Sequence, residues 1–131
     1  MDCVFCNVRD TAKGAFIHED DDVFVVPDRF PSSKGHVLVI TKRHVRDMLE
    51  ADDATIAKAF SIAKAVAIRQ KEILGADSMR ISTNIGKEAG QIIFHFHIHV
   101  LPIYSKEPDG FSRHKEITGP ESKRLVELLK F

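Results

Sequence analysis

In the stretch FHFHIHV, His95, His97 and His99 alternate with Phe96 and Ile98. An imidazole changes charge near neutral pH and can serve as metal ligand, proton carrier or nucleophile. Alternate residues of a strand share a face and rise ~3.3 Å each. The three histidines therefore face one way, and Phe94, Phe96, Ile98 and Val100 face the other, towards a core. A helix would scatter the same residues around its axis. His95 and His99 have α-carbons ~13 Å apart by strand rise. One zinc ion, with nitrogen ligands at ~2.0 to 2.1 Å, reaches two neighbours but not all three. The triplet splits its roles: one end suits a metal, while the middle and far end suit chemistry or anion binding. The competing reading is a half-exposed strand that carries histidines without using them. Three on one face, above an apolar opposite face, argue against it.

A metal needs more ligands. Cys3-x-x-Cys6 has the spacing of a zinc half-site, with a redox pair or two buried thiols as alternatives. His44, in TKRH just after an apolar run, is a further candidate, against the reading of an exposed loop histidine. Cys3, Cys6, His44 and one end of the triplet would complete a closed Cys2His2 tetrahedron. Such a site is structural, because no coordination position stays open.

Several elements must position these groups. Residues 14–20 (GAFIHED) and 22–28 (DVFVVPD) read as short strands around the acidic turn from Glu19 to Asp22. Residues 35–41 (GHVLVIT) read as a third strand and 78–84 (SMRISTN) as a fourth. The glycine-bearing loop IGKEAGQ leads into the histidine strand. Residues 51–75 predict a long helix. Ile56, Phe60, Ala63, Ala67, Gln70 and Leu74 follow its inner face, Asp52 or Asp53 caps its start and Gly75 ends it. Residues 119–130 predict a short helix with Pro120 in the first turn. The fold class expected is α+β: an antiparallel sheet of about five strands carrying one long helix, with a short carboxy-terminal helix.

Composition sets the outer limits. The 131 residues fit one domain, taken as residues 1–131. A hydrophobic fraction of 44% and a charged fraction of 29% indicate a globular chain. Lysine plus arginine equals aspartate plus glutamate, 19 against 19, which gives no electrostatic case for long nucleic acid or a membrane surface as the main partner. The start MDCVFC lacks the basic and apolar regions of a signal peptide. No apolar run approaches the ~18 residues of a membrane span. The expected compartment is the cytoplasm, where a structural disulfide between Cys3 and Cys6 is not expected.

HFHIHV resembles the His-φ-His-φ-His-φ signature (φ apolar) of the histidine triad, or HIT, family of nucleotide-binding hydrolases and transferases. NIGKEAGQIIFHFHIHVLP is similar to that family's Asn-x-Gly, Gly-Gln and histidine strand. PDRFPSSKGHVLVITKRH is similar to its Asp-x-x-Pro, Gly-His-x-Leu-Val-Ile and Lys-x-His block, and CVFC matches its zinc-bearing members. The resemblance runs from Cys3 to Pro102 in order.

It implies a HIT-like fold and a set of roles. His97 would be the nucleophile on the α-phosphorus of a nucleotide, and His99 would bind the phosphate and leaving-group side. Asp28 would hydrogen-bond the ribose, and Asn84 and Gln91 would contact phosphates. Cys3, Cys6, His44 and His95 would hold structural zinc. The substrate would be a dinucleoside polyphosphate or nucleoside phosphoramidate, the partner a purine nucleotide or conjugate, and the assembly a homodimer. A nucleotide-binding sensor with the same pocket and little turnover is the alternative. A cupin-type metal site, which expects a glutamate about four residues after His-x-His, is disfavoured, because Glu107 is the nearest after His99.

The chain departs from the family pattern in places. Ile92 stands where many relatives carry serine or threonine, and Ile103 where they often carry arginine. The tryptophan-bearing terminus of the phosphoramidase branch is missing, and residues 105–116 match nothing in the pattern. His18, His36 and His114 are expected on the surface.

Overall fold

The computed structural model describes residues 2–12 and 14–131. Helix α1 spans Val4–Thr11. Strands β1 (His18–Glu19), β2 (Val23–Pro27) and β3 (Val37–Thr41) follow, then helix α2 (Asp53–Leu74), β4 (Ser78–Ser82), a 3-10 turn (Lys87–Ala89), β5 (His97–Ile103) and helix α3 (Gly119–Leu129). The five strands form one sheet in the order β1-β2-β3-β5-β4, and every neighbouring pair is antiparallel. The α+β class and the strand number are as the sequence implies. Among the described residues, no helix is long and apolar enough to cross a membrane.

Period two divides the strands between two apolar layers. Val23, Val25, Val37, Val39, Phe96, Ile98 and Val100 are buried with Ala59, Ala63, Val66 and Ala67 of α2. Alanines at every fourth position let the helix lie close to the sheet. The opposite parity, Phe24, Leu38 and Ile40, is buried with Phe5 of α1. Both faces of β3 are covered, so all five of its residues are buried. Each large aliphatic side chain so buried contributes about 1.5 to 3 kcal/mol.

The long helix starts where the Asp52 carboxylate accepts from the Thr55 amide at 2.7 Å, and Gly75 ends it in the left-handed conformation. Gln70 is wholly buried. Its amide donates to the carbonyls of Gly35 (3.1 Å) and Val100 (2.9 Å), tying α2 to the turn before β3 and to the middle of β5. Gly35 has φ +89°, and a Cβ there would lie 2.5 Å from Leu74 Cδ1. Only glycine permits this approach of helix to sheet directly before His36.

Helix α1 was not expected from the sequence, and other features differ as well. The first strand is only His18–Glu19, because the Ala15 amide turns back onto the Ala12 carbonyl and Gly14 has φ +102°. The histidine strand begins at His97, so His95 lies before it. Phe94 is 44% exposed, outside the core assigned to it. The reason lies in the partner strand. The Thr41 amide donates to the Phe96 carbonyl (3.3 Å), and the Phe96 amide donates to the Val45 carbonyl (2.8 Å). Residues 42–44 are thereby looped out of the ladder, as in a bulge, and the Thr41 hydroxyl braces the loop on the Arg43 carbonyl at 2.9 Å.

Candidate functional site

The excursion at 42–44 presents His44 to His95. Opposite them, α1 is capped by a cysteine: Cys3 Sγ accepts from the Cys6 amide at 3.4 Å. That turn places both thiols on one side of the helix start. Ligand atoms of Cys3, Cys6, His44 and His95 all lie within 4.8 Å of one another. Cys3 Sγ is 3.3 Å and Cys6 Sγ 3.6 Å from His95 Nδ1, and Cys6 Sγ is 3.4 Å from His44 Nδ1. The two Nδ1 atoms are 3.1 Å apart.

The other nitrogen of His95, Nε2, is 2.6 Å from the Thr41 carbonyl, which only accepts. The proton is therefore on Nε2, and Nδ1 turns a lone pair into the cluster. Burial pushes this imidazole down to about 4, so it stays neutral. A lone pair aimed at a second imidazole and two thiols is a donor set that fits a soft, tetrahedral metal ion.

One step along, His97 Nδ1 lies 2.6 Å from the His95 carbonyl. Again the carbonyl fixes the tautomer: Nδ1 carries the proton and Nε2 the free lone pair. Burial pushes the His97 imidazole below its ordinary value, and nearby His99 lowers it further. His97 therefore favours the neutral form at neutral pH, with its Nε2 lone pair unengaged by the carbonyl. The Phe5 ring meets it edge-on at 4.9 Å and meets His95 at 5.9 Å, so both imidazoles stand on the α1 face of the sheet.

His99 belongs to a second group. Its Nδ1 is 2.9 Å from His36 Nε2, and His36 Nε2 is 3.3 Å from Asp28 Oδ2. His36 Nδ1 accepts from the Ser32 amide at 3.1 Å. His36 thus carries its proton on Nε2 and donates it to His99 and Asp28. His99 accepts at Nδ1, which leaves its own N–H on Nε2 for a ligand. Burial lowers both imidazoles. The remaining Asp28 oxygen, Oδ1, accepts from the Phe30 amide at 2.8 Å and holds the loop after β2.

His36 corrects the expectation of a surface residue: it is 3% exposed. The signal was available in the strand parity. Leu38 pairs with His99 and Ile40 with His97, so His36, two residues before Leu38, shares their face. His114 is exposed as expected. His18 is half-buried, between Asp20 and the Phe131 ring.

The loop before β5 carries Asn84 and Gln91. Asn84 is half-buried, with its Nδ2 3.7 Å from where a Cβ on Gly90 would lie. Gln91 is 4% exposed and bonded only to backbone. Its oxygen accepts from the Gly86 amide (2.9 Å), and its nitrogen donates to the carbonyls of Arg46 (2.8 Å) and Ile93 (3.2 Å). Gln91 therefore shapes the loop in this structure. Ile92 stands 87% exposed beside it.

Alternating histidines, a carboxylate-backed imidazole pair and a Cys2His2 cluster between α1 and one antiparallel sheet define a histidine triad protein. The chain belongs to the HIT domain family, whose model matches residues 9–106. It is 39% identical over 108 residues to an uncharacterized HIT-like protein of Saccharolobus solfataricus, covering 82% of this chain and 78% of that one. It is 31% identical over 134 residues to the adenylylsulfatase HINT3 of Arabidopsis thaliana, covering 98% and 68%. Among solved structures it is similar to a hypothetical histidine triad nucleotide-binding protein of Sulfolobus tokodaii, with TM-score 0.90, 36% identity and coverage of 97% and 89%. It is also similar to a zinc-bound histidine triad protein of Mycobacterium smegmatis, with TM-score 0.82, 33% identity and coverage of 98% and 94%.

Proposed function

We propose that this chain is a nucleotide hydrolase acting at the α-phosphate of a dinucleoside polyphosphate or nucleoside phosphoramidate, through a nucleotidyl intermediate on His97. The observation that carries this is the tautomer set. His97 Nδ1–H rests on the His95 carbonyl, so the Nε2 lone pair is free to attack phosphorus. The new N–P bond forms as the bond to the leaving group breaks. His99 is supplied with a proton donor at its back by His36, and its Nε2–H can support the phosphate oxygens or protonate the departing atom. Water then attacks the phosphoramidate, releasing mononucleotide and restoring neutral His97.

Asp28 lies beside this pair and offers a carboxylate to ribose hydroxyls. Val8 and Val26, half-buried at the margin of the cluster around Phe5 and Leu38, would give a purine its apolar contact on the same face. Asn84 would contact phosphate, and Gln91 would act by fixing the phosphate loop.

The test is turnover by purified protein of a panel of nucleotide conjugates differing in leaving group, with products identified. Release of a mononucleotide from at least one class is expected. Tight mononucleotide binding with no turnover across the panel would replace the enzyme with the sensor reading.

Cys3, Cys6, His44 and His95 would hold zinc. When bound, the ion would fasten α1 to the sheet and take no part in the displacement, since four protein donors close its coordination. A homodimer is also inferred. Strand β4 is a sheet edge, and Ile81 on it (40% exposed) and Ile68 on α2 (45% exposed) are unusually open for their type. Light scattering at micromolar concentration should give twice the 14.7 kDa chain mass; a monomer would exclude this assembly.

A further inference from the structure

A cavity of about 570 Å³ opens on the far side of Asp28 and His36, between the loop at 29–35, the segment 110–118 and the facing ends of α2 and α3. Its volume is in the ~300 to 1,000 Å³ range of small-molecule sites. The roof is built rather than loose. The Ile117 amide donates to the Arg29 carbonyl at 3.0 Å and the His114 amide to the Pro31 carbonyl at 2.7 Å, and Arg29 pairs with Glu116. The lining includes Leu74 of α2, Leu125 and Leu128 of α3, and Ile117 of the roof.

The charges around it are divided in an informative way. Every lining carboxylate has a partner. Asp28 is held by His36 and the Phe30 amide, Glu116 by Arg29, and Glu121 by the Thr118 hydroxyl at 3.0 Å. The lining cations Lys34, Lys115 and Arg124 have no ion-pair partner among the described residues. A chamber with an apolar wall, satisfied acids and three cations outside any ion pair is complementary to one kind of molecule.

We propose that this cavity binds a small amphipathic anion, an aliphatic or aromatic body ending in a phosphate or carboxylate group. The body lies against Leu74, Ile117, Leu125 and Leu128. The anionic head meets Lys34, Lys115 and Arg124. Asp28 and His36 form the wall shared with the histidine site, so the ligand touches the back of the group that supports His99.

The test titrates the full chain with hexyl phosphate and with hexanoate, and follows amide chemical shifts. Inorganic phosphate and hexanol are the head-only and tail-only controls. At least one amphiphile should bind more tightly than both controls, with shifts centred on Leu74, Ile117 and Leu125. Whichever binds tighter identifies the head group. The Lys115→Gln, Arg124→Gln double variant should lose about five- to tenfold in affinity, and added salt should weaken the wild type. The His97→Ala variant should bind the amphiphile as wild type does, because the inference does not rest on nucleotide chemistry. Three outcomes would overturn it: no amphiphile binding, shifts centred on His97 and His99, or wild-type affinity in a double variant that melts normally.

Discussion

The His97→Asn variant is expected to lose at least ~10³-fold in turnover of a nucleotide conjugate, while still binding the mononucleotide within a few-fold of wild type. Asparagine can keep a donor towards the His95 carbonyl, so the local backbone has no reason to rearrange. What it lacks is the Nε2 lone pair. Under the proposed function the ground-state contacts would belong to Asp28, Asn84 and His99, and none is removed. The loss should therefore fall on kcat with little change in KM. The His99→Ala variant should behave differently, raising KM and lowering kcat together, because a phosphate-binding donor acts before and during the reaction. Rapid acid-free quenching of wild type with a slow labelled substrate should trap label on His97 as an acid-labile phosphoramidate. Retention of more than a small fraction of turnover by His97→Asn would exclude the covalent route.

Removal of the metal is expected to lower the melting temperature by roughly 10 °C, the size expected when a tightly bound ligand is lost from a chain of this length. Protein purified without a metal-binding tag should contain about one zinc per chain. The His95→Ala variant should reproduce the loss, since it removes one ligand and the bond to the Thr41 carbonyl. The damage should be local. Hydrogen exchange should rise first in α1, which rests on the Cys3 cap, and in residues 42–44, and least in β3 and α2, which carry the buried core. Residual turnover should outlast the metal, because His97 is oriented by a backbone carbonyl. Metal-free, freshly reduced protein that melts at the temperature of the loaded protein would show that the thiols serve packing alone.

Most of the fold was legible because local chemistry and global packing agree. The long helix carries its cap at Asp52, its stop at Gly75 and its small-residue face in plain sequence. Strands β2 and β3 are short apolar runs bounded by turn residues. Helix α1 was not legible: its eight residues lack a long period, and its cap is a thiol rather than a hydroxyl or carboxylate. The middle and far histidines were legible by alternation. His95 was assigned to the same strand, although the strand begins only at His97, since nothing in the residue types announces that 42–44 leave the ladder. His36 was placed at the start of the third strand but expected on the surface, because a lone histidine at a strand end shows no partner in sequence. Its burial depends on a cross-strand partner 63 positions away. Gln91 was readable as a polar residue of the site, but not as one whose amide is engaged by its own loop.

The looped-out segment at residues 42–44 bears on how such chains can diverge. Thr41 and Val45 both bond to Phe96, so the ladder closes on either side of the excursion. Substitutions, insertions or deletions within it leave the register of His97 against Ile40 untouched. Inheritance of the Cys2His2 cluster is thereby uncoupled from the placement of His97. A lineage can lose His44 and the Cys3–Cys6 turn, replace them with apolar contacts, and keep the His97 imidazole in place. The reverse is closed to it: a one-residue slip in β5 would turn His97 and His99 into the core.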